Sequence, residues 1–269
     1  MKHTLALVAA LFLVPLAAVR ADEPVKLPPK AKFHLFLLIG QSNMAGRGTL
    51  EEQDRKPHPR VLMLNKAGRW APAVDPLHFD KPVAGVGLGK TFGQILAEAN
   101  PDATIGLIPC AVGGSPIDSW KPKAFYKPTN SHPWDDAMRR AKLALEAGEL
   151  KAMLWHQGES DATPELSKTY EAKLHDLIRR LRVELQSPEL PFVAGQMGKF
   201  DDRPWDDAHK RVDKAHRELP QHVKHTAFVS AEGLKHKGDK VHFDAASYRE
   251  LGKRYADAYQ KLNQREAKP

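Results

Sequence analysis

From Phe33 onward, short apolar runs alternate with longer segments of helical periodicity. The runs Phe33–Ile39, Val61–Leu64, Thr104–Pro109, Ala152–His156, Phe192–Gln196 and Ala227–Ser230 predict buried strands. Helices are predicted over Leu88–Asn100, Trp134–Ala147, Pro164–Leu185, Trp205–Arg217 and Asp244–Gln264. Within the third, Pro164 suits a first helical turn, and Leu166, Tyr170, Leu174, Leu177 and Leu181 recur at helical spacing. Strand and helix in alternation imply an α/β fold, a mostly parallel sheet covered by helices on both faces. No internal repeat or composition break divides the stretch 33–265, so it reads as one domain. Residues 22–32, rich in Pro and Lys, read as a linker.

In such sheets ligands bind beyond the C-terminal ends of the strands. Three stretches there carry chemistry. The first strand stops at Gly40, and Gln41, Ser42 and Asn43 follow at once. A serine on a sharp turn after a buried strand is exposed as a nucleophile, although a serine there also serves as a plain helix cap. The third strand runs into Gly113-Gly114, which lets backbone N–H groups approach a ligand closely, or forms a tight turn only. The fourth ends in His156, Gln157, Gly158 and Glu159, with Asp161 just beyond. Near the C-terminus, Asp239 precedes His242 by three residues, ahead of the last helix. A carboxylate at that spacing can hold an imidazole in the tautomer that accepts a proton from serine.

Composition narrows the classes. The first 21 residues join a basic start (Lys2, His3), an apolar stretch from Leu5 to Ala18 and a small-residue site at Val19–Ala21. This reads as a cleaved export signal, with the remaining chain starting near Asp22 and no stable membrane association afterwards. The formal net charge is +8, of which Lys2 and Arg20 lie in that segment. The excess is spread out, without a basic block or interleaved aromatics, so no nucleic-acid partner is expected. Cys110 is the single cysteine, which excludes an intramolecular disulfide and a paired-cysteine metal or redox motif. The glycine-rich Gly85–Thr91 resembles a phosphate loop but has Ala84 where the first glycine belongs. His222, His225 and His236 lack the spacing of a zinc site.

Taken together, Gly40-Gln41-Ser42-Asn43-Met44, Gly113-Gly114-Ser115 with Trp120, His156-Gln157-Gly158-Glu159, and Asp239 with His242 resemble the SGNH hydrolase superfamily. The likeness is to its sialate O-acetylesterase-like and acetylxylan esterase-like carbohydrate esterases. The motifs stand in the family's order and span roughly Phe33 to Tyr259. The resemblance implies a three-layer, flavodoxin-like α/β/α fold and hydrolysis of O-acetyl groups on a carbohydrate substrate, without metal or organic cofactor. It implies Ser42 as nucleophile, His242 as base and Asp239 as the orienting acid, with Glu159 the alternative carboxylate. It implies an oxyanion hole of the Ser42 and Gly114 backbone N–H groups and the Gln157 side-chain amide. Gln41, Asn43 and Trp120 are the candidate substrate contacts, with Trp134 and Trp205 as further rings that could stack on a sugar; each ring reads equally as packing, and Gln41 and Asn43 as residues that hold the turn. A non-catalytic carbohydrate binder on the same scaffold and an esterase for long acyl chains are the competing readings.

Overall fold

A computed structural model describes residues 25–266. The expected export signal at 1–21 lies outside them. The first strand, β1 (Phe33–Gly40), is followed by the short helix α1 (Ser42–Ala45), then by β2 (Val61–Leu64) and β3 (Trp70–Pro72). Helix α2 (Gly89–Ala99) leads to β4 (Thr104–Pro109), and α3 (Pro133–Leu145) to β5 (Glu149–His156). The remainder is α4 (Tyr170–Glu184), β6 (Phe192–Gly195), α5 (Asp207–His222), β7 (Thr226–Val229) and α6 (Ala245–Glu266). The strands form one sheet in the order β3-β2-β4-β1-β5-β6-β7. All neighbours pair in parallel except β2 with β3.

The strand β1 is central because its sequence is apolar on both faces. Leu35, Leu37 and Ile39 enter the core beneath α3, α4 and α5, while Phe36 and Leu38 enter the core beneath α2 and α6. Each fully buried Leu or Ile there contributes roughly 1.5–3 kcal/mol. The five strands β4-β1-β5-β6-β7 have the flavodoxin-like order, second-first-third-fourth-fifth. The β2/β3 pair extends that sheet at one edge. In this order successive connections depart to opposite sides at β1 and β5, which opens a crevice beyond their C-terminal ends.

Several local expectations shift. Strand β3 is too short, and its Pro72 too unlike a strand residue, to be read from periodicity; Pro is tolerated because β3 is an edge. Strand β5 starts three residues before Ala152, because Glu149 and Leu150 already pair with β1. Pro164 lies in a turn, and a 3₁₀ turn over Leu166–Thr169 precedes α4. The described part of the linker is not free chain: Val25 and Leu27 pack against the core beneath α3, α4 and α5. Among the described residues, no helix is long and apolar enough to cross a membrane.

Candidate active site

The turn that carries Ser42 is set by Gly40. Its φ is +131°, and a Cβ there would stand 2.2 Å from the His156 carbonyl oxygen of β5. Only glycine lets β1 end with the two backbones this close. The Gln41 N–H then donates to the same oxygen at 2.9 Å, and Ser42 opens α1. The Gly85–Thr91 segment packs against this turn and does not form a phosphate cradle. Gly85 donates to the Gly46 carbonyl, and Lys90 is spent on the carbonyls of Gln53 and Asp54.

His242 comes from the loop before α6. Asp244 caps that helix by accepting the Ser247 N–H at 2.7 Å. The Lys237 N–H donates to the His242 carbonyl, and the Asp244 N–H donates to the Lys235 carbonyl, which closes the loop on itself. Within it, Asp239 Oδ1 accepts the backbone N–H groups of Val241 and His242 at 3.0 and 2.8 Å. Its Oδ2 lies 2.7 Å from His242 Nδ1. On the far side of the ring, His242 Nε2 lies 2.9 Å from Ser42 Oγ, across 200 residues of sequence. Partial burial pushes the Asp239 carboxyl up. The His242 backbone and ring N–H donors and the Val241 N–H outweigh it and hold the group down to about 2. Asp239 is therefore an anion at any pH where an imidazole titrates. It fixes Nδ1 as the protonated nitrogen and leaves the Nε2 lone pair facing the serine.

Glu159 occupies a different position. Its Oε1 accepts from Asn43 Nδ2 at 2.6 Å, while its Oε2 is buried with no hydrogen-bond partner among the described residues. Burial raises its carboxyl above the usual range, against the Asn43 hydrogen bond. The structure thus places Asp239, and not Glu159, on the histidine.

Three of the candidate site residues face inward. Asn43 is fully buried and its side chain is spent. Nδ2 donates to Glu159 and to the Val241 carbonyl at 3.0 Å, and Oδ1 accepts the Tyr248 hydroxyl at 2.6 Å. It ties the Ser42 turn to the Glu159 loop, the histidine loop and α6, and both of its amide N–H bonds are taken. Trp120 is also fully buried, with its indole N–H on Ser115 Oγ and its ring edge-on to Trp155. Gln157 is the third correction. Its two N–H bonds go to Asp161 Oδ2 (2.5 Å) and the Ser115 carbonyl (3.2 Å), and its Oε1 accepts Tyr170 OH at 2.7 Å. No donor remains on this amide for an oxyanion. The strand end turns the side chain into the core, where Asp161, Tyr170 and His216 form a buried polar cluster. Trp134 is buried beneath the Arg180 guanidinium, whereas Trp205 stays half-exposed after β6 with the His209 ring stacked on it.

The backbone N–H groups of Ser42 and Gly114 have no acceptor among the described residues. Gly114 has φ +84°, and its carbonyl is held from behind by Tyr126 OH at 2.7 Å and Ser160 Oγ at 2.9 Å. The preceding residue is anchored by a pair that sequence reading missed. Asp80 Oδ2 accepts the Gly113 N–H at 2.8 Å and Arg47 Nη2 at 2.7 Å, and Arg47 Nη1 donates to the Gly46 carbonyl at 2.7 Å. Both charged side chains are buried, so this strut joins the nucleophile turn to the glycine pair. Arg47 stands only five residues after Ser42, but Asp80 sits in a loop whose sequence carries no periodic signal. Behind the glycines, burial pushes the Cys110 thiol up to about 11, which makes it an inert packing residue. His225 lies near Glu189 and His236 near Asp202. Among the described residues no cluster of three or more His, Cys, Asp or Glu is arranged to hold a metal.

Residues 32–261 match the family model of carbohydrate esterases described as sialic acid-specific acetylesterases. The chain belongs to this family. A carbohydrate esterase of the family is a carboxylic ester hydrolase, and the serine, histidine and aspartate just described are the parts such an enzyme needs. This esterase is 30% identical to a probable carbohydrate esterase of Arabidopsis thaliana over 260 residues, which covers 88% of this chain and 94% of the relative. A crystal structure of an Arabidopsis thaliana protein, also 30% identical, superposes with a TM-score of 0.76 and covers 87% of this chain and 99% of that one. The crystal structure of NanS has a TM-score of 0.72 at 16% identity over 89% of this chain and 100% of that one, a likeness of fold.

Proposed function

We propose that the protein is an exported serine esterase that removes acetyl groups from the hydroxyls of carbohydrates through an acyl-enzyme on Ser42. The observation that carries this reading is the continuous chain Ser42 Oγ, His242 Nε2, His242 Nδ1, Asp239 Oδ2, with links of 2.9 and 2.7 Å. As Ser42 Oγ bonds to the acetyl carbon, its proton passes to His242 Nε2. The carbonyl oxygen becomes an oxyanion facing the N–H groups of Ser42 and Gly114, and a donor of this kind is typically worth roughly 2.7–4 kcal/mol of barrier. When the C–O bond to the sugar breaks, His242 returns the proton to the leaving alkoxide. Water then attacks the acetyl-serine, gives its proton to His242, and acetate departs as Ser42 recovers its hydrogen. Acetylated glycan as substrate agrees with the names of the family and of the Arabidopsis relative.

The test is turnover of p-nitrophenyl acetate and of a panel of acetylated glycans by the wild type and Ser42→Ala. The variant is expected to lose at least about 10⁴-fold in kcat; equal rates would leave a carbohydrate binder. A rate that rises with acyl-chain length would point instead to a lipase-like esterase. Export is read from residues 1–21, and the amino-terminal sequence of protein recovered outside the cytoplasm should begin near Asp22.

A further inference from the structure

Gln157 is committed to the interior, so it supplies no side-chain donor beside the Ser42 and Gly114 N–H groups. Gln41 directly precedes the nucleophile and is 3% exposed. Its Oε1 accepts the backbone N–H groups of Gly158 (3.5 Å) and Ser160 (3.3 Å), which fixes which end of the amide is oxygen. Its Nε2 has no hydrogen-bond partner among the described residues and is not sealed from solvent. Ser160 in turn places its hydroxyl 2.9 Å from the Gly114 carbonyl. The Gln41 amide is therefore held on the loop after β5, and Ser160 of that loop links it to Gly114. A buried amide that spends its acceptor on two loop N–H groups and keeps its donor free is arranged to serve a ligand.

We propose that Gln41 Nε2 is the third oxyanion donor, taking the role that the family pattern suggests for Gln157. As negative charge builds on the acetyl carbonyl oxygen, Nε2–H donates to it beside the two backbone N–H groups. Gly158 and Ser160 hold the amide in that orientation before substrate arrives, so no reorganisation is needed at the transition state. This inference rests on Ser42 as the nucleophile.

The experiment measures kcat, KM and Tm with p-nitrophenyl acetate for the wild type, Gln41→Glu, Gln41→Met, Gln157→Met and Ser42→Ala. Gln41→Glu keeps an oxygen for the Gly158 and Ser160 N–H groups and removes the donor; Gln41→Met removes both without adding charge. Both Gln41 variants are expected to lose about 10²-fold or more in kcat with KM within about threefold, and Gln41→Glu to keep its Tm. Gln157→Met is expected to lower Tm while the folded protein keeps kcat within about tenfold, because Gln157 acts on packing. Either folded Gln41 variant turning over within threefold of wild type would overturn the proposal. So would a selective kcat loss at unchanged Tm in Gln157→Met. Equal turnover by wild type and Ser42→Ala is a separate result, which removes the serine mechanism itself.

Discussion

Two loops meet at the Asn43 amide beside Ser42, and each brings a carboxylate. On the loop before α6, the Asp239 side chain is 38% exposed, receives three N–H donors and stays ionised down to about pH 2. On the loop after β5, Glu159 is half-buried with its Oε2 enclosed and without a partner among the described residues, its Oε1 receives one side-chain donor from Asn43, and burial pushes its carboxyl upward. The residue types are nearly the same; the difference lies in the donors each loop supplies. The exposed loop is built to stabilise charge, as the acid–base arm of the proposed mechanism requires. The sealed loop belongs to a frame in which polar groups hold one another, and charge there is a cost.

The sharpest way to break this contrast is Asp239→Asn. An amide cannot hold the imidazolium that forms during attack, so kcat is expected to fall about 10⁴-fold. Tm should change little, because the site is part-exposed; steady-state kinetics with thermal melting checks both. A buried member of the frame should respond the other way. Arg47→Met leaves Asp80 without its cation, and removal of one partner of a buried pair typically costs about 3–5 kcal/mol, readable in urea unfolding.

The frame should also register in the pH dependence of stability. His78 is fully enclosed, accepts the Ala111 N–H on Nδ1, and burial pulls it down to about 3. Its folded pKa lies below its unfolded value, so between about pH 6.5 and 3 the unfolded chain binds a proton that the folded chain refuses. Stability from this group is present above that window and drains away as pH falls, by about 1.4 kcal/mol per unit. His78→Asn keeps an acceptor for Ala111 and cannot titrate. The stability difference between wild type and variant should shrink or reverse with that slope; a flat difference would mean the ring is not held neutral. The smallest effect is expected for Glu159→Gln, which retains an acceptor for Asn43 and removes a disfavoured charge. Its kcat should stay within about tenfold of wild type. A loss that matched Asp239→Asn would erase the distinction between the two loops.

The parts legible in the sequence are those with local signatures. Leu35, Leu37 and Ile39 announced a buried strand, Gly40 its sharp end, and Asp239 and His242 a pairing that needs only three residues of spacing. The parts that escaped depend on where a side chain turns after the strand ends. Gln157 and Asn43 read as ligands because polar residues beyond strand ends usually face the crevice. Here both point back into the protein, towards Asp161, Tyr170, Glu159 and Tyr248, which lie 4 to 205 positions away in sequence. Trp120 read equally as a sugar platform and as packing, and its indole N–H on Ser115 inside the core shows the packing role. The Arg47–Asp80 strut joins two loops with no periodicity to betray them. Composition reports that a residue is polar; only tertiary packing decides whether its hydrogen bonds are already taken.

Both ends of the described chain leave from the pole opposite the mouth. Val25 and Leu27 lead up to Phe33, where β1 begins, and α6 starts beside His242 and carries Asn263 and Gln264 back to His34. An affinity tag, a surface linkage or a fused partner attached at either end therefore anchors the molecule by its base. The end of the sheet that carries Ser42 and His242 then stays turned outward.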